Sequence, residues 1–208
     1  MLGMLATLAC GPGSTHQRAP ATNEAPPSAS TTPTTADDLL GRQMPNWRVA
    51  AWGHTPPLDL AELRGKVVVV RFWTDTCPYC RASMPALQTL ADEFADQPVV
   101  FVGLYHEKPQ GRADAWPAAQ QIGKDWGITF PIGHDANWST LNSWWLSTGE
   151  RAATSSTIVL GKDGKVIHVH PGPVYFPSDD PQHARENRDF VALRDSIVRG
   201  MASAIDDR

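Results

Sequence analysis

Val67-Val68-Val69-Val70-Arg71-Phe72-Trp73-Thr74-Asp75-Thr76-Cys77-Pro78-Tyr79-Cys80 is the stretch that decides the architecture of this chain. Its first half is an apolar, β-branched run, the composition of a strand. After Cys80 the pattern changes: Met84, Leu87, Leu90, Ala91 and Phe94 recur at spacings of three and four and share one helical face. The two cysteines therefore straddle a strand-to-helix turn. With Cys77 as N-cap and Pro78 as the first helical residue, the missing proline N–H costs nothing. The free amides of Tyr79 and Cys80, with the positive end of the helix dipole, then face the Cys77 sulfur and favour its thiolate. Cysteines so placed have pKa values lowered from about 8.5 to roughly 3.5–7.5. Cys80 follows almost one turn later, within disulfide reach but shielded. The residues point to a redox pair, Cys77 as nucleophile and Cys80 as resolving thiol. A permanent structural disulfide and half of a zinc site share this spacing; the zinc reading wants a second cysteine pair, and the only other cysteine is Cys10.

Outward from this turn, strands and helices alternate. Trp47 to Trp52 and Leu58 to Leu60 read as short strands ahead of the valine run. The helix from Pro78 runs to about Asp96, with Pro85 inside it and a kink expected there. Val99 to Leu104 is a buried strand, Pro117 to about Trp126 a helix, Phe130 to Ile132 a brief strand or bend, and Trp138 to Leu146 a short amphipathic helix. Thr157-Ile158-Val159-Leu160 and Lys165 to Val169 flank Lys162-Asp163-Gly164, a hairpin-turn signal. Arg188 to Ala204 closes the chain as a helix with Phe190, Leu193, Ile197 and Met201 on one side. The order predicts a three-layer α/β domain with a mixed sheet, spanning 41–208.

Before that domain the character differs. Residues 1–10 are largely apolar and end in Leu8-Ala9-Cys10-Gly11, which resembles the end of a bacterial lipoprotein signal, with Cys10 as the lipidated residue. Residues 11–40 are rich in Pro, Ala, Ser and Thr, a composition that cannot offset its own ordering entropy. A disordered tether of roughly 30 Å r.m.s. reach is expected there. The formal net charge is −4, without a basic stripe, so no nucleic-acid partner is indicated. No stretch reaches the roughly 18 apolar residues of a spanning helix.

Phe72-Trp73-x-x-x-Cys77-x-x-Cys80 with Pro85, the leading Leu63-Arg64-Gly65-Lys66 and the Asp163-Gly164 hairpin resemble the thioredoxin superfamily. The likeness is to the extracytoplasmic, membrane-anchored redoxins of the TlpA/ResA type, and it covers about Gly41 to Gly172. It implies a thioredoxin-like fold and exchange of disulfides with protein thiols, without an organic cofactor. It further implies recharging by a membrane redox partner, with the domain held at an extracytoplasmic surface by its lipid anchor. Three positions depart from the family pattern. Arg71 stands where thioredoxins carry a buried Asp, Ser83 where a Glu is frequent, and Ser155 where a cis-proline faces the cysteines. Arg71 is expected either to stabilise thiolates by Coulomb attraction or to snorkel to the surface. Ser155 could offer backbone groups to a peptide by edge pairing.

Other residues carry alternative readings. Trp73, Pro78 and Tyr79 are expected to shape the substrate groove; Trp116, Trp126, Trp138, Trp144 and Trp145 pack the core or wall a groove. Tyr105-His106-Glu107 could supply a proton donor near the turn. Asp75, if close, would raise the thiol pKa. Thr74, three residues before Cys77, keeps a peroxide-reducing redoxin open. His168 and His170, which alternate on one strand and so share a side, keep a copper-binding chaperone open.

Overall fold

The computed structural model of the protein describes residues 36–149, 151 and 153–204. Cys10, the signal-like segment 1–10 and most of the expected tether lie outside the described residues. Six strands form one mixed sheet in the order β1-β4-β3-β2-β5-β6: β1 Ala51–Gly53, β2 Val67–Trp73, β3 Val99–Tyr105, β4 Ile132–His134, β5 Thr157–Leu160 and β6 Val166–His170. β2 is central, parallel to β3 and antiparallel to β5. All seven of its residues are buried, because both faces of the sheet are covered and alternate valines serve different layers. Val67, Val69 and Trp73 join a core with α1 (Pro78–Glu93), α2 (Ala115–Asp125) and α4 (Ala184–Ala202). Val68, Val70 and Phe72 join a second core with α3 (Ser139–Trp144) and the segment before β2, including Leu39, Trp47 and Leu63. The three-layer α/β expectation is met.

Several boundaries move, each for a local reason. The folded part begins before Gly41: Asp37–Leu39 is a 3-10 turn, Leu39 is fully buried, and Asp38 pairs with Arg151 at 2.6 Å. The segment 58–60 is not a strand. The Asp59 carboxylate accepts the Ala61 amide at 2.8 Å and caps a 3-10 helix, Leu60–Leu63. Trp47 is buried with its Nε1 donating to the Leu58 carbonyl at 2.7 Å, so the first strand is confined to Ala51–Gly53. Helix α4 starts earlier than Arg188, because the Asp180-capped turn Pro181–His183 leads straight into it. Helix α1 runs through Pro85 and ends at Glu93.

Candidate active site

The strand-to-helix turn is built as its residues dictate. Cys77 takes an extended backbone (φ −92°, ψ 116°) at the N-cap of α1, and Pro78 opens the helix. Cys77 and Cys80 are unbonded thiols, the first half-exposed and the second buried. The Cys77 thiol is lowered to about 5, first because the Cys80 S–H donates to its thiolate, then through the Cys80 amide, the Ser155 hydroxyl and the Tyr79 amide, with burial opposing. The principal donor is thus the second sulfur, ahead of the amides expected from the N-cap position. The Cys80 thiol moves the other way. Its proton is held by the bond to Cys77 and by burial, against the attraction of Arg71.

Ser155 faces both sulfurs. Its hydroxyl lies 3.2 Å from Cys80 Sγ and 3.9 Å from Cys77 Sγ. Behind it stands Gly172 at φ +89°, a conformation that favours glycine, and a side chain there would meet the Ser155 carbonyl oxygen at 2.3 Å. The next residue, Pro173, lines the groove beside Cys77. A proline therefore does border the site, contributed by the segment after β6, and counting residues from the hairpin could not find it.

Two openings meet at Cys77. One, of about 300 Å³, is lined by Thr76, Pro78, Tyr79, Lys108, Ser155 and Pro173. The other, of about 510 Å³, is lined by Asp75, Arg81, Asp125 and Trp126. Pro78 is exposed and Tyr79 is 50% exposed, and both line the first opening. Trp73 is not a groove residue. It is fully buried and packs against Tyr105 and Trp126 at ring separations of 5.1 and 5.6 Å, because an in-facing β2 position points into the core. Trp126 takes the place at the opening that Trp73 was expected to hold.

Asp75 is not among the groups that set the Cys77 thiol. Arg112 Nη2 binds Asp75 Oδ2 at 2.5 Å, and the Tyr105 hydroxyl donates to Asp75 Oδ1 at 3.2 Å. This neutralises the carboxylate and ties the turn to the loop after β3. Arg112 was missed in the sequence; no local pattern marks a loop arginine as the partner of a residue 37 positions earlier. Thr74 is also engaged there, its hydroxyl donating to Asp75 Oδ1 at 3.3 Å. Of the Tyr105-His106-Glu107 group, Tyr105 joins this network, while His106 is wholly buried beside Trp138 and Glu107 accepts from the Gly111 amide at 3.1 Å. His170 turns to Asp189 at 3.3 Å and packs edge-on against Tyr175. Among the described residues no group of three or more His, Cys, Asp or Glu side chains could hold a metal ion. Arg71 does not snorkel; it is fully buried, and its charge acts on the Cys80 thiol.

The arrangement can capture and release a sulfur: a thiolate at the surface, a second, protonated thiol beneath, and a hydroxyl that touches both. Alkylation of Cys77 should therefore rise through a midpoint near pH 5. At neutral pH the lower intrinsic nucleophilicity of such a thiolate offsets its abundance, so the diagnostic range is acidic. At pH 5.5 Cys77 should react roughly 20-fold faster than an ordinary cysteine of pKa about 8.5. A midpoint at or above 8 would contradict the geometry.

The chain resembles known proteins along most of the described region. It is 26% identical over 115 residues to the thiol-disulfide oxidoreductase ResA of Halalkalibacterium halodurans, covering 55% of this chain and 59% of that protein. It is 36% identical over 92 residues to the soluble secreted antigen MPT53 of Mycobacterium tuberculosis, covering 43% and 49%. The chain thus spans about half the length of these relatives. A solved thioredoxin-like superfamily protein superposes with a TM-score of 0.60 at 21% identity, over 79% of this chain and 99% of its own, which places the fold as thioredoxin-like. The Redoxin family model matches residues 39–184, from the first buried turn to the start of α4 and with the whole cysteine site inside it, and on that match the chain belongs to the Redoxin family.

Proposed function

We propose that the protein is a thiol–disulfide oxidoreductase acting on protein substrates through the Cys77-Pro78-Tyr79-Cys80 pair. The observation that carries this reading is the asymmetry of the two sulfurs: one half-exposed and anionic at neutral pH, the other buried and protonated, with Ser155 against both. The Cys77 thiolate attacks a substrate disulfide, forming a Cys77–substrate disulfide and releasing the other substrate thiolate. Cys80 then attacks Cys77 Sγ, the Cys77–Cys80 bond forms, and the second substrate thiolate leaves. Two electrons pass to the substrate. The reverse sequence oxidises a dithiol. No organic cofactor enters, because the sulfurs carry the electrons.

On the same reading the protein works at an extracytoplasmic surface, held by a lipid on Cys10 and recharged by a membrane redox partner. Supporting this are the lipoprotein-like end of segment 1–10, the tether-like composition of 11–40 and the likeness to a secreted antigen. No helix among the described residues is long and apolar enough to cross a membrane; the anchor in this reading is the lipid on Cys10. Peptide backbone would pair with the segment around Ser155, and Tyr79, Pro78 and Pro173 would flank it.

The test is capture. Cys80→Ser protein mixed with a disulfide-bonded substrate such as insulin should hold a substrate chain as a reducible covalent adduct on a non-reducing gel. The adduct should be absent from Cys77→Ser/Cys80→Ser protein. No adduct with Cys80→Ser would overturn the assignment.

A further inference from the structure

Arg71 is a buried cation without an anion. Its Nη1 donates to Thr157 Oγ1 at 3.1 Å and its Nη2 to the Pro173 carbonyl at 2.8 Å; its Nε has no partner, and its guanidinium lies 5.1 Å from the Tyr175 ring centroid. Among the described residues no carboxylate forms an ion pair with it. Every group that holds it is neutral. Thr157 is its direct neighbour across the β2–β5 pairing, and its hydroxyl shares a hydrogen bond of 3.1 Å with the Tyr175 hydroxyl. Tyr175 is in turn pinned to α1, its amide donating to Ser83 Oγ at 3.3 Å and Ser83 donating to the Tyr79 carbonyl at 2.9 Å. The guanidinium is thereby fixed under the first turn of α1, on the face of β2 that also meets Cys80.

An unneutralised buried cation carries a large solvation penalty, and neutral hydrogen bonds offset only part of it. A placement so unfavourable at rest stabilises whatever anion forms beside it. In the resting dithiol that anion is absent: Cys80 keeps its proton by donating to the Cys77 thiolate, whose charge also repels a second thiolate. Capture of a substrate changes this. Once Cys77 Sγ is bonded to the substrate sulfur it is neutral, and both influences vanish. Burial alone then opposes ionisation of Cys80, while the guanidinium and the Ser155 hydroxyl favour it.

We propose that Arg71 is the positioning residue of the second half-reaction, a fixed positive charge that forms and aims the Cys80 thiolate once a substrate occupies Cys77. The inference rests on the oxidoreductase reading and deepens it. A guanidinium carries its charge at every working pH, so it drives release without exchanging a proton itself; the Cys80 proton leaves through Ser155 and solvent. Among the described residues the groups that act on Cys80 are Cys77 at the N-cap of α1, Arg71 from β2, Ser155 from the segment before β5, and Tyr175 from the segment after β6. Burial holds the Tyr175 hydroxyl protonated and His170 behind it neutral, the latter at about 4. Arg71 is therefore the one permanent charge in the set.

The two half-reactions separate with an aromatic disulfide, 5,5′-dithiobis(2-nitrobenzoate). Attack by Cys77 releases one coloured thiolate; attack by Cys80 on the resulting mixed disulfide releases the second. Arg71→Met should slow the second release at least about tenfold at pH 7 and move its rise with pH upward by one unit or more. The first release should stay within about twofold, since Arg71 is not among the groups that set the Cys77 thiol. Arg71→Lys should restore most of the second phase, and Arg71→Gln serves as a second neutral variant. Thiolate absorbance of Cys80 in Cys77→Ser protein, which keeps Arg71, gives a measurement independent of those variants. Its midpoint should lie at or below the value of about 8.5 of an ordinary cysteine despite burial. Folded neutral variants with an unchanged second phase, a lysine variant as slow as methionine, or a Cys80 midpoint above 9 would each overturn this role alone. A wild-type protein that shows no first release overturns the oxidoreductase reading, and this inference with it.

Discussion

Cys77→Ser protein will reduce a protein disulfide at least about 10³-fold more slowly than the wild type, because the thiolate is the nucleophile and a serine hydroxyl stays protonated at neutral pH. The loss should lie in turnover and not in folding. Cys77 is half-exposed at a helix N-cap, so the substitution removes chemistry and little packing. Cys80 cannot substitute for it: that sulfur is buried, and in the variant a substrate disulfide would have to enter beneath Ser155 to reach it. The measurement is insulin reduction with a thiol as the recharging reductant, read against the rate of that thiol alone. Turnover within tenfold of wild type would end the assignment of Cys77 as nucleophile.

Acid should unfold this protein early. His106 is fully buried with neither ring nitrogen partnered, and burial pushes its pKa down from 6.5 to about 3. His170 is lowered to about 4, again chiefly by burial, with Arg71 adding repulsion. Both folded values lie below the unfolded one. Between pH 6.5 and the folded values the unfolded chain binds more protons, so stability is full above pH 6.5 and falls as the pH drops. Integrated to pH 5, each histidine removes about 2 kcal/mol, about 4 together, a large part of the 5–15 kcal/mol typical of a domain. Denaturant midpoints at pH 8 and pH 5 measure this, and His106→Leu should remove about 2 kcal/mol of the difference. Equal stability at the two values would show that these rings are not neutral and buried as described.

Much of the architecture was legible because its signals are local. The valine run and the three-and-four spacing after Cys80 each belong to one element, so β2 and α1 could be read without knowing their neighbours. The Asp163-Gly164 turn likewise announced the β5–β6 hairpin. The errors fall where a side chain overrode a pattern. Asp59 caps a 3-10 turn in a segment whose alternation suggested a strand. Leu39, lost in a polar composition, is buried against the sheet.

The cysteine pair and its place at a helix start were legible in the linear chain, since they follow from spacing along two adjacent elements, and the serine opposite them followed from the resemblance to the thioredoxin superfamily. Which charges the sulfurs feel was set by contacts between distant segments. Arg71 had two fates in the sequence, and the alternation of β2 with the arrival of Thr157, Pro173 and Tyr175 from distant segments chose burial. Asp75 had a Coulomb effect on Cys77 until Arg112 came to neutralise it. Electrostatic energy depends on distance through space and on exclusion of water, and neither quantity exists in a linear chain before the layers close on one another.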